Sequence, residues 1–298
     1  MLKHRVPSGI LMTAGLVLLM WADDALGRRG VPPGLILLGL VLGLGAVASI
    51  ELSALLRAKW GHCSRLSTFG SAAVGCLMVY FLPMIDTPRT AVAFFGSGVA
   101  GVLFFSMFRH SFLRKETQGA AAAGANAVFA MVYLGILPGM YLLIRGGMGD
   151  AEAGVGYSAW VIAAIVMIVK SCDIGAYFTG RFLGKRKLIE WLSPGKTWEG
   201  LIGGMAFAGL WAVVFTLIGN SLAPERAIAV WYALPAGMLL GFLGQVGDLV
   251  ASLLKRDAGV KDWAQTIPGF GGVMDVADSV LIVAPVAYWL LTLAPGVG

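Results

Sequence analysis

The chain has 298 residues, of which 58% are hydrophobic and 13% are charged. A water-soluble domain of this length cannot bury so much apolar surface, so the composition excludes a soluble globular protein and predicts an all-α polytopic membrane protein. The formal net charge is +6. The sequence has no basic stretch interleaved with aromatic residues, so we do not expect it to bind nucleic acid.

Nine apolar stretches are long enough, as helices, to cross a bilayer core of about 30 Å. They lie at residues 7–22, 33–56, 67–85, 90–108, 120–144, 155–172, 200–220, 228–250 and 276–295. The first stretch is not followed by a signal-peptide cleavage pattern, so we expect it to be retained as a helix. The three cysteines have no metal-ligand spacing and predict neither a disulfide framework nor a zinc site.

Lysine and arginine divide unequally between the two sides of the membrane in this nine-helix arrangement. Sixteen of the 22 fall on the side of the N-terminus and five on the other, while Lys170 lies inside a span. The positive-inside rule therefore predicts that the N-terminus and the charged loops face the cytoplasm, as expected for a multi-pass protein of the cell inner membrane.

Charged residues within the spans concentrate in the second half of the chain. Glu51 is the exception in the first five predicted helices. We interpret residues 1–150 as scaffold helices and residues 151–298 as the half that carries the site, both within one integrated membrane domain. No convincing internal repeat is present, which weakens an inverted-repeat transporter interpretation.

The first polar motif ends the sixth predicted helix. Asp173 and Tyr177 are four residues apart and share a helical face, with Lys170 one turn earlier. Two interpretations are open. In the first, Lys170 neutralises Asp173 in a structural ion pair. In the second, Asp173 faces a ligand.

The second motif is the segment Ser193-Pro-Gly-Lys-Thr-Trp-Glu-Gly200. Serine followed by proline is typical of a helix start, which predicts Ser193 as the N-cap and Pro194 at the first helical position. The free backbone N–H groups of that turn, with Lys196 and Thr197 beside them, predict an anion site at the membrane surface.

The third motif runs from Gly244 to Ser279 between two apolar stretches. Asp248, Ser252 and Lys255 recur at helical spacing on one face, and Asp275 and Asp278 are three residues apart. A charged side chain at membrane depth costs about 2.5–3.5 kcal/mol, so these residues predict a functional site. Oxygen-only ligands of this kind suit Mg²⁺, which proteins hold through one or two carboxylates together with substrate phosphates.

Together the three motifs resemble the CDP-diacylglycerol synthases, the phosphatidate cytidylyltransferases. The matching residues are Asp173, Ala176, Tyr177, Gly180 and Arg181, then Ser193, Pro194 and Lys196 to Gly200, then Gly247, Asp248, Ser252, Lys255, Arg256, Lys261, Asp262, Pro268, Gly271, Gly272, Asp275 and Asp278. Two positions depart from the family pattern. Phe270 stands where the family usually has histidine, and Val276 stands where it usually has arginine.

The resemblance implies transfer of CMP from CTP to phosphatidic acid, giving CDP-diacylglycerol and pyrophosphate. It implies catalytic roles for Asp248, Lys255, Asp275 and Asp278, with the three aspartates as metal ligands. The implied substrate-binding residues are Asp173, Tyr177, Ser193, Lys196, Thr197, Ser252, Arg256, Lys261, Gly271 and Gly272.

The cofactor expected from this resemblance is Mg²⁺, with room for a second cation. The expected partners are CTP, phosphatidic acid and the bilayer, a homodimer is a candidate assembly, and no nucleic acid is expected. Two alternatives stay open: another CTP-dependent membrane lipid enzyme such as a polyprenol kinase, and an ion-coupled transporter that uses the same carboxylates.

Overall fold

The structure is a computed structural model that describes residues 15, 18–23, 25–27, 29–32, 34–60, 63–147, 157–264 and 271–295. Eight helices within these ranges are long and apolar enough to cross a membrane. The predicted all-α polytopic fold is therefore confirmed. The first predicted helix, residues 7–22, falls mostly outside the described residues, so eight observed spans stand beside the nine predicted.

The helices and strands follow one another in a simple order. They are α1 (Leu35–Trp60), α2 (Arg65–Phe81), α3 (Pro88–Arg114), α4 (Ala120–Ala130), α5 (Leu137–Gly147), α6 (Tyr157–Leu183), β1 (Lys187–Ile189), β2 (Ser193–Thr197), α7 (Trp198–Leu222), α8 (Val230–Asp257), α9 (Val273–Leu281) and α10 (Val283–Thr292). A π-helical turn at Met131–Ile136 joins α4 to α5, and short 3₁₀ turns follow α2 and α7. α9 and α10 together form the last span.

Three helices extend well beyond the stretches predicted from hydropathy. α3 continues to Arg114, α6 to Leu183 and α8 to Asp257, although the apolar stretches end at residues 108, 172 and 250. A hydropathy window stops at the first charges, but backbone hydrogen bonding in a helix does not. The extra turns carry many of the polar residues of the three motifs.

The C-terminal helices approach one another through glycine. A β-carbon at Gly204 of α7 would lie 2.7 Å from the carbonyl oxygen of Cys172 on α6. A β-carbon at Gly247 of α8 would lie 2.5 Å from the carbonyl oxygen of Asp278 on α9. Only glycine permits such close backbone contacts, which are typical of helix packing in membranes. The polar ends of α6 to α9 are consequently brought together.

A buried ion pair fastens the segment before α1 to α5. Arg145 Nε lies 2.8 Å from Asp23 Oδ2, and the two side chains are 4% and 2% exposed. Asp23 also accepts hydrogen bonds from the backbone N–H groups of Gly34 and Ile36 at the start of α1, and Arg145 donates to Ser158 Oγ. Arg145 is therefore a buried structural residue, although the sequence suggested only a loop charge.

Candidate active site

A short hairpin separates α6 from α7 and corrects the predicted helix start. Ser193–Thr197 forms strand β2, which pairs antiparallel with β1. The prediction that Ser193 caps the helix is therefore wrong, because its backbone is extended in the hairpin. Thr197 is the N-cap instead, and its Oγ1 accepts a hydrogen bond from the N–H of Gly200 at 3.1 Å.

The ends of α6, β2, α7, α8 and α9 surround a polar cavity of about 460 Å³, which we call the α6–α9 cavity. Residues from all three sequence motifs line it. The lining residues include Lys170, Asp173, Tyr177, Gly180, Arg181, Lys196, Thr197, Gly200, Gln245, Asp248, Asp275, Asp278 and Ser279. The fold therefore brings three segments that are distant in sequence to one cavity.

Lys196 connects the hairpin to α8. Its Nζ lies 2.7 Å from Asp248 Oδ2 and donates hydrogen bonds to the backbone carbonyl and the Oε1 of Gln245. Gln245 Nε2 in turn donates to Asp173 Oδ1 at 2.8 Å. Gln245 is 5% exposed, whereas the side chains of Asp248 and Asp173 are 36% and 38% exposed. One lysine and one glutamine thus hold two of the carboxylates of the cavity.

Asp275 is held by a second lysine and by the backbone. Lys255 Nζ lies 2.7 Å from Asp275 Oδ1, and the two side chains are 12% and 11% exposed. Asp275 Oδ2 accepts hydrogen bonds from the N–H groups of Gly272 and Trp263. This carboxylate therefore fixes the loop that leads into α9 as well as lining the cavity.

Asp278 is 4% exposed, and its Oδ1 accepts a hydrogen bond from the N–H of Ser279. No lysine or arginine of the described ranges lies within salt-bridge distance of it. Beside it, Lys170 Nζ donates to Ser279 Oγ at 2.8 Å and to the backbone carbonyl of Val276 at 3.0 Å. Lys170 also lies 3.7 Å from Asp173 Oδ2, so the ion pair considered from the sequence is present.

The start of α9 is held from the other half of the chain. Glu51 of α1 is 4% exposed, and its two carboxylate oxygens accept hydrogen bonds from the N–H groups of Val273 and Met274, both at 2.9 Å. A β-carbon at Gly272 would lie 2.5 Å from Glu51 Oε2, so a larger residue there would displace the Glu51 carboxylate. The negative charge of Glu51 also stabilises the positive end of the α9 dipole.

Several predicted site residues lie outside the α6–α9 cavity. Arg256 and Lys261 are exposed at the end of α8 and in the following loop. Ser193 and Ser252 are half-buried and do not line the cavity, and Lys255 reaches it only through Asp275. Gly271 and Gly272 precede α9, where the backbone of Gly271 adopts a left-handed φ of 101°.

Other residues of the cavity were not assigned to the site from the sequence. Gln245 lies in an apolar stretch and carries no charge, so nothing in the pattern singled it out. Arg181, whose guanidinium donates to the Tyr177 hydroxyl at 2.9 Å, matched the family pattern but was given no role in the site. Lys170 was considered only as a partner of Asp173, whereas it also lies against the first turn of α9.

The carboxylates of the cavity are not arranged as a preformed metal site. Within the described ranges, no group of three or more histidine, cysteine, aspartate or glutamate side chains is positioned to hold a metal ion. Lysine and amide groups contact oxygens of Asp173, Asp248 and Asp275. The four carboxylates of the cavity nevertheless match the ligand preference of Mg²⁺ for oxygen.

Comparison with known proteins identifies the family of this chain. The family model described as the cytidylyltransferase family matches residues 3–294. The chain belongs to the cytidylyltransferase family.

Curated relatives cover much of this cytidylyltransferase. It is 32% identical over 254 residues to the phosphatidate cytidylyltransferase of Bacillus subtilis, which spans 85% of this chain and 88% of the relative. It is 31% identical over 258 residues to that of Chlamydia pneumoniae, spanning 83% of this chain and 79% of the relative. A shorter match to the enzyme of Pseudomonas aeruginosa is 42% identical over 131 residues, 44% of this chain and 47% of the relative.

Of the two residues that depart from the family pattern, Phe270 and Val276, the structure describes one. Phe270 lies outside the described residues. Val276 lies in the first turn of α9, and its carbonyl oxygen accepts a hydrogen bond from Lys170. A cation from α6 therefore lies beside the position where the family usually carries an arginine.

Proposed function

We propose that this cytidylyltransferase is a phosphatidate cytidylyltransferase, which transfers CMP from CTP to phosphatidic acid. The observation that carries the proposal is the α6–α9 cavity, where four aspartates and two lysines from all three family-like motifs come together. The family match and the named relatives support this activity. They give no support to the polyprenol kinase or transporter alternatives.

The reaction suits a cavity without a catalytic serine or histidine. A phosphate oxygen of phosphatidic acid attacks the α-phosphorus of CTP, and the bond from that phosphorus to the bridging oxygen of pyrophosphate breaks. The nucleophile is already an anion, so the protein needs no base to activate it. Its task is to place two anions in line and to neutralise their charge.

The cations of the cavity are placed for this task. Lys196 is 18% exposed and lies between β2 and α8, and Lys170 is 33% exposed on α6. We propose that both turn from their carboxylates towards the phosphates of CTP, with Arg181 at the mouth of the cavity. Thr197 Oγ1 accepts a hydrogen bond from Gly200, which leaves its hydroxyl proton available to donate to a phosphate oxygen.

The donor set fits Mg²⁺, and we propose that Asp248, Asp275 and Asp278 hold it, with Asp173 beside them. The ion, when bound, would stabilise the leaving pyrophosphate as a Lewis acid. Asp278 forms no salt bridge with a described lysine or arginine, whereas Asp248 and Asp275 must first part from Lys196 and Lys255. The same exchange frees the two lysines.

The lipid substrate is proposed to enter sideways from the bilayer. Tyr177 lines the cavity and is 58% exposed, and Phe178 and Phe182 beside it on α6 are 53% and 74% exposed. This aromatic surface matches the acyl region of a lipid whose phosphate reaches the cavity. The excess of lysine and arginine on this side supports placing the site at the cytoplasmic face of the inner membrane. We also propose that the protein forms a homodimer.

The decisive assay uses the purified full-length protein with radiolabelled CTP, Mg²⁺ and phosphatidic acid. We expect label to move into CDP-diacylglycerol and pyrophosphate to be released in equal amount. A parallel reaction with a polyprenol replaces the phosphate nucleophile by a hydroxyl and should give no product. Absence of cytidylyl transfer to phosphatidic acid, with transfer or phosphorylation of the polyprenol, would refute the proposal.

A further inference from the structure

A second polar cavity, of about 250 Å³, lies among the adjoining ends of α2, α3 and α4, and we call it the α2–α4 cavity. It shares no lining residue with the α6–α9 cavity. Its described lining residues are Cys63, Ser64, Ser67, Thr68, Ser106, Arg109, His110, Leu113, Arg114, Ala123, Asn126 and Ala127. In the predicted topology it opens on the cytoplasmic side of the membrane.

The lining of this cavity is rich in donors and cations. Arg109 and Arg114 contribute two guanidinium groups, and none of the described lining residues is an aspartate or glutamate. Ser64 Oγ accepts one hydrogen bond from Arg109 at 3.3 Å, which uses one of five guanidinium N–H donors. Arg114 has only a weak, exposed partner, Glu116 at 3.7 Å. The cavity is therefore electropositive.

A buried amide in the same cavity has no partner. Asn126 is 7% exposed, and its Nδ2 makes no hydrogen bond in the described structure. Leaving a buried donor unpaired costs about 1–3 kcal/mol, which a helix in an apolar environment would avoid by placing an alanine or leucine there. The unpaired donor therefore points to an acceptor that a ligand supplies.

The side of the cavity that faces the bilayer is apolar and open. Leu113 lines the cavity and is 66% exposed, and Phe108 and Phe112 on the same stretch of α3 are 75% and 85% exposed. An anionic group in the cavity would therefore have a lipid-facing surface next to it. The cytoplasmic leaflet attracts basic residues through its anionic headgroups.

We propose that the α2–α4 cavity binds a phosphate group, with Arg109 and Arg114 pairing with its oxygens and Asn126 donating to one of them. Guanidinium groups are suited to phosphate because their planar fork donates two parallel hydrogen bonds. The phosphate belongs to a lipid headgroup or to a soluble phosphate compound. This site is separate from the proposed reaction, so its test does not depend on cytidylyl transfer.

Native mass spectrometry of the full-length protein, titrated with dioleoyl phosphatidylglycerol, tests the proposal. Dioleoylglycerol has the same tails and no phosphate, and inorganic phosphate has no tails. The variants are Arg109→Gln and Asn126→Leu. The matched control is Arg65→Gln, because Arg65 is an exposed arginine at the start of α2 that does not line the cavity. Size-exclusion elution and unfolding temperature without lipid report folding of each variant.

We expect Arg65→Gln to bind phosphatidylglycerol as the unmodified protein does, and Arg109→Gln to bind it about tenfold or more weakly. Asn126→Leu should bind it more weakly while unfolding at the same or a higher temperature, because it removes an unpaired buried donor. Dioleoylglycerol should not be retained. If inorganic phosphate alone binds with the same dependence on Arg109, the source is a soluble phosphate compound.

Two results would overturn the proposal. One is equal binding of both phosphatidylglycerol and inorganic phosphate by the Arg109→Gln and Arg65→Gln proteins. The other is unchanged binding of both by a folded Asn126→Leu protein. Either would mean that Arg109 or Asn126 does not bind a phosphate group.

Discussion

Glu51 accepts a hydrogen bond from the backbone N–H of Val273, 222 residues further along the chain, at 2.9 Å. The second carboxylate oxygen takes the N–H of Met274. A residue of the scaffold half thus positions the helix that presents Asp275 and Asp278. A side chain of the half that we interpret as a scaffold therefore helps to position the helix that carries two proposed metal ligands.

Replacing Glu51 by glutamine should lower turnover about tenfold or more while changing the KM for CTP less. Glutamine offers one acceptor oxygen where the α9 amides use two, and loss of a charge-assisted hydrogen bond costs about 1.5–3 kcal/mol. Steady-state kinetics on the purified protein measures the effect. Glu225→Gln, an exposed acid on the 3₁₀ turn after α7, is the matched control. Equal turnover of the two variants would show that Glu51 does not position α9.

Neutralising the two aspartates of α9 should have the same effect on activity and different effects on stability. Asp275→Asn and Asp278→Asn are both expected to abolish cytidylyl transfer. Asp275→Asn should also destabilise the protein by about 3 kcal/mol, because it leaves Lys255 buried without its partner. Asp278→Asn should leave the unfolding temperature unchanged or raise it, because Asp278 is buried and forms no salt bridge with a described lysine or arginine.

Thermal unfolding and the CTP assay on both variants check this pair of predictions. Lower stability of Asp278→Asn than of Asp275→Asn would contradict the charge distribution described for the cavity. Near-normal transfer by either variant would remove that aspartate from the proposed metal site.

Lys196→Gln should raise the KM for CTP about ten- to hundredfold, since one charge-assisted phosphate contact is worth roughly 1.5–3 kcal/mol. The matched control is Lys187→Gln on the neighbouring strand. Lys187 is exposed, and its Nζ donates only to the carbonyl oxygen of Pro194 in the described structure. Initial rates over a range of CTP concentrations distinguish the two variants. A similar KM for both would mean that Lys196 serves only to hold Asp248.

The topology predicts labelling from opposite sides of the membrane. In a background without native cysteines, Lys187→Cys should react with an impermeant maleimide from the cytoplasmic side and Arg226→Cys from the other. In the protein that keeps its native cysteines, Cys63 should react slowly with the same maleimide. Cys63 is half-buried, and burial raises the pKa of its thiol, which lowers the fraction of reactive thiolate at neutral pH. Reaction of both introduced cysteines from the same side would refute the arrangement of α7.

The helices and the polar residues of the three motifs followed from the sequence because each rests on a local pattern, whereas a shared site was implied only by the family resemblance. Apolar length identified the spans, and charges inside or beside apolar stretches identified Asp173, Asp248, Asp275 and Asp278. Those four side chains do line one cavity.

What could not be predicted depends on contacts between distant segments. Nothing local distinguishes Gln245 from a polar residue of no consequence, yet its amide joins Lys196 to Asp173. Ser193 and Pro194 have the composition of a helix start, but pairing with β1 satisfies their backbone and moves the cap to Thr197. Nearness in sequence also favoured Arg256 and Lys261 as phosphate ligands, whereas Lys170, from a different helix, lies closer to the start of α9.

Lys196 is paired with Asp248, and Lys255 is paired with Asp275. In the proposed reaction, these ion pairs should make the binding of CTP and of the divalent cation cooperative. Each lysine that turns to a nucleotide phosphate releases a carboxylate, and each carboxylate that takes a divalent cation releases a lysine. Nucleotide and cation should therefore each strengthen the binding of the other, and thermodynamic linkage requires the two enhancements to be equal. A titration of CTP without the cation, or of the cation without CTP, should report a weaker affinity than the protein shows when both are present.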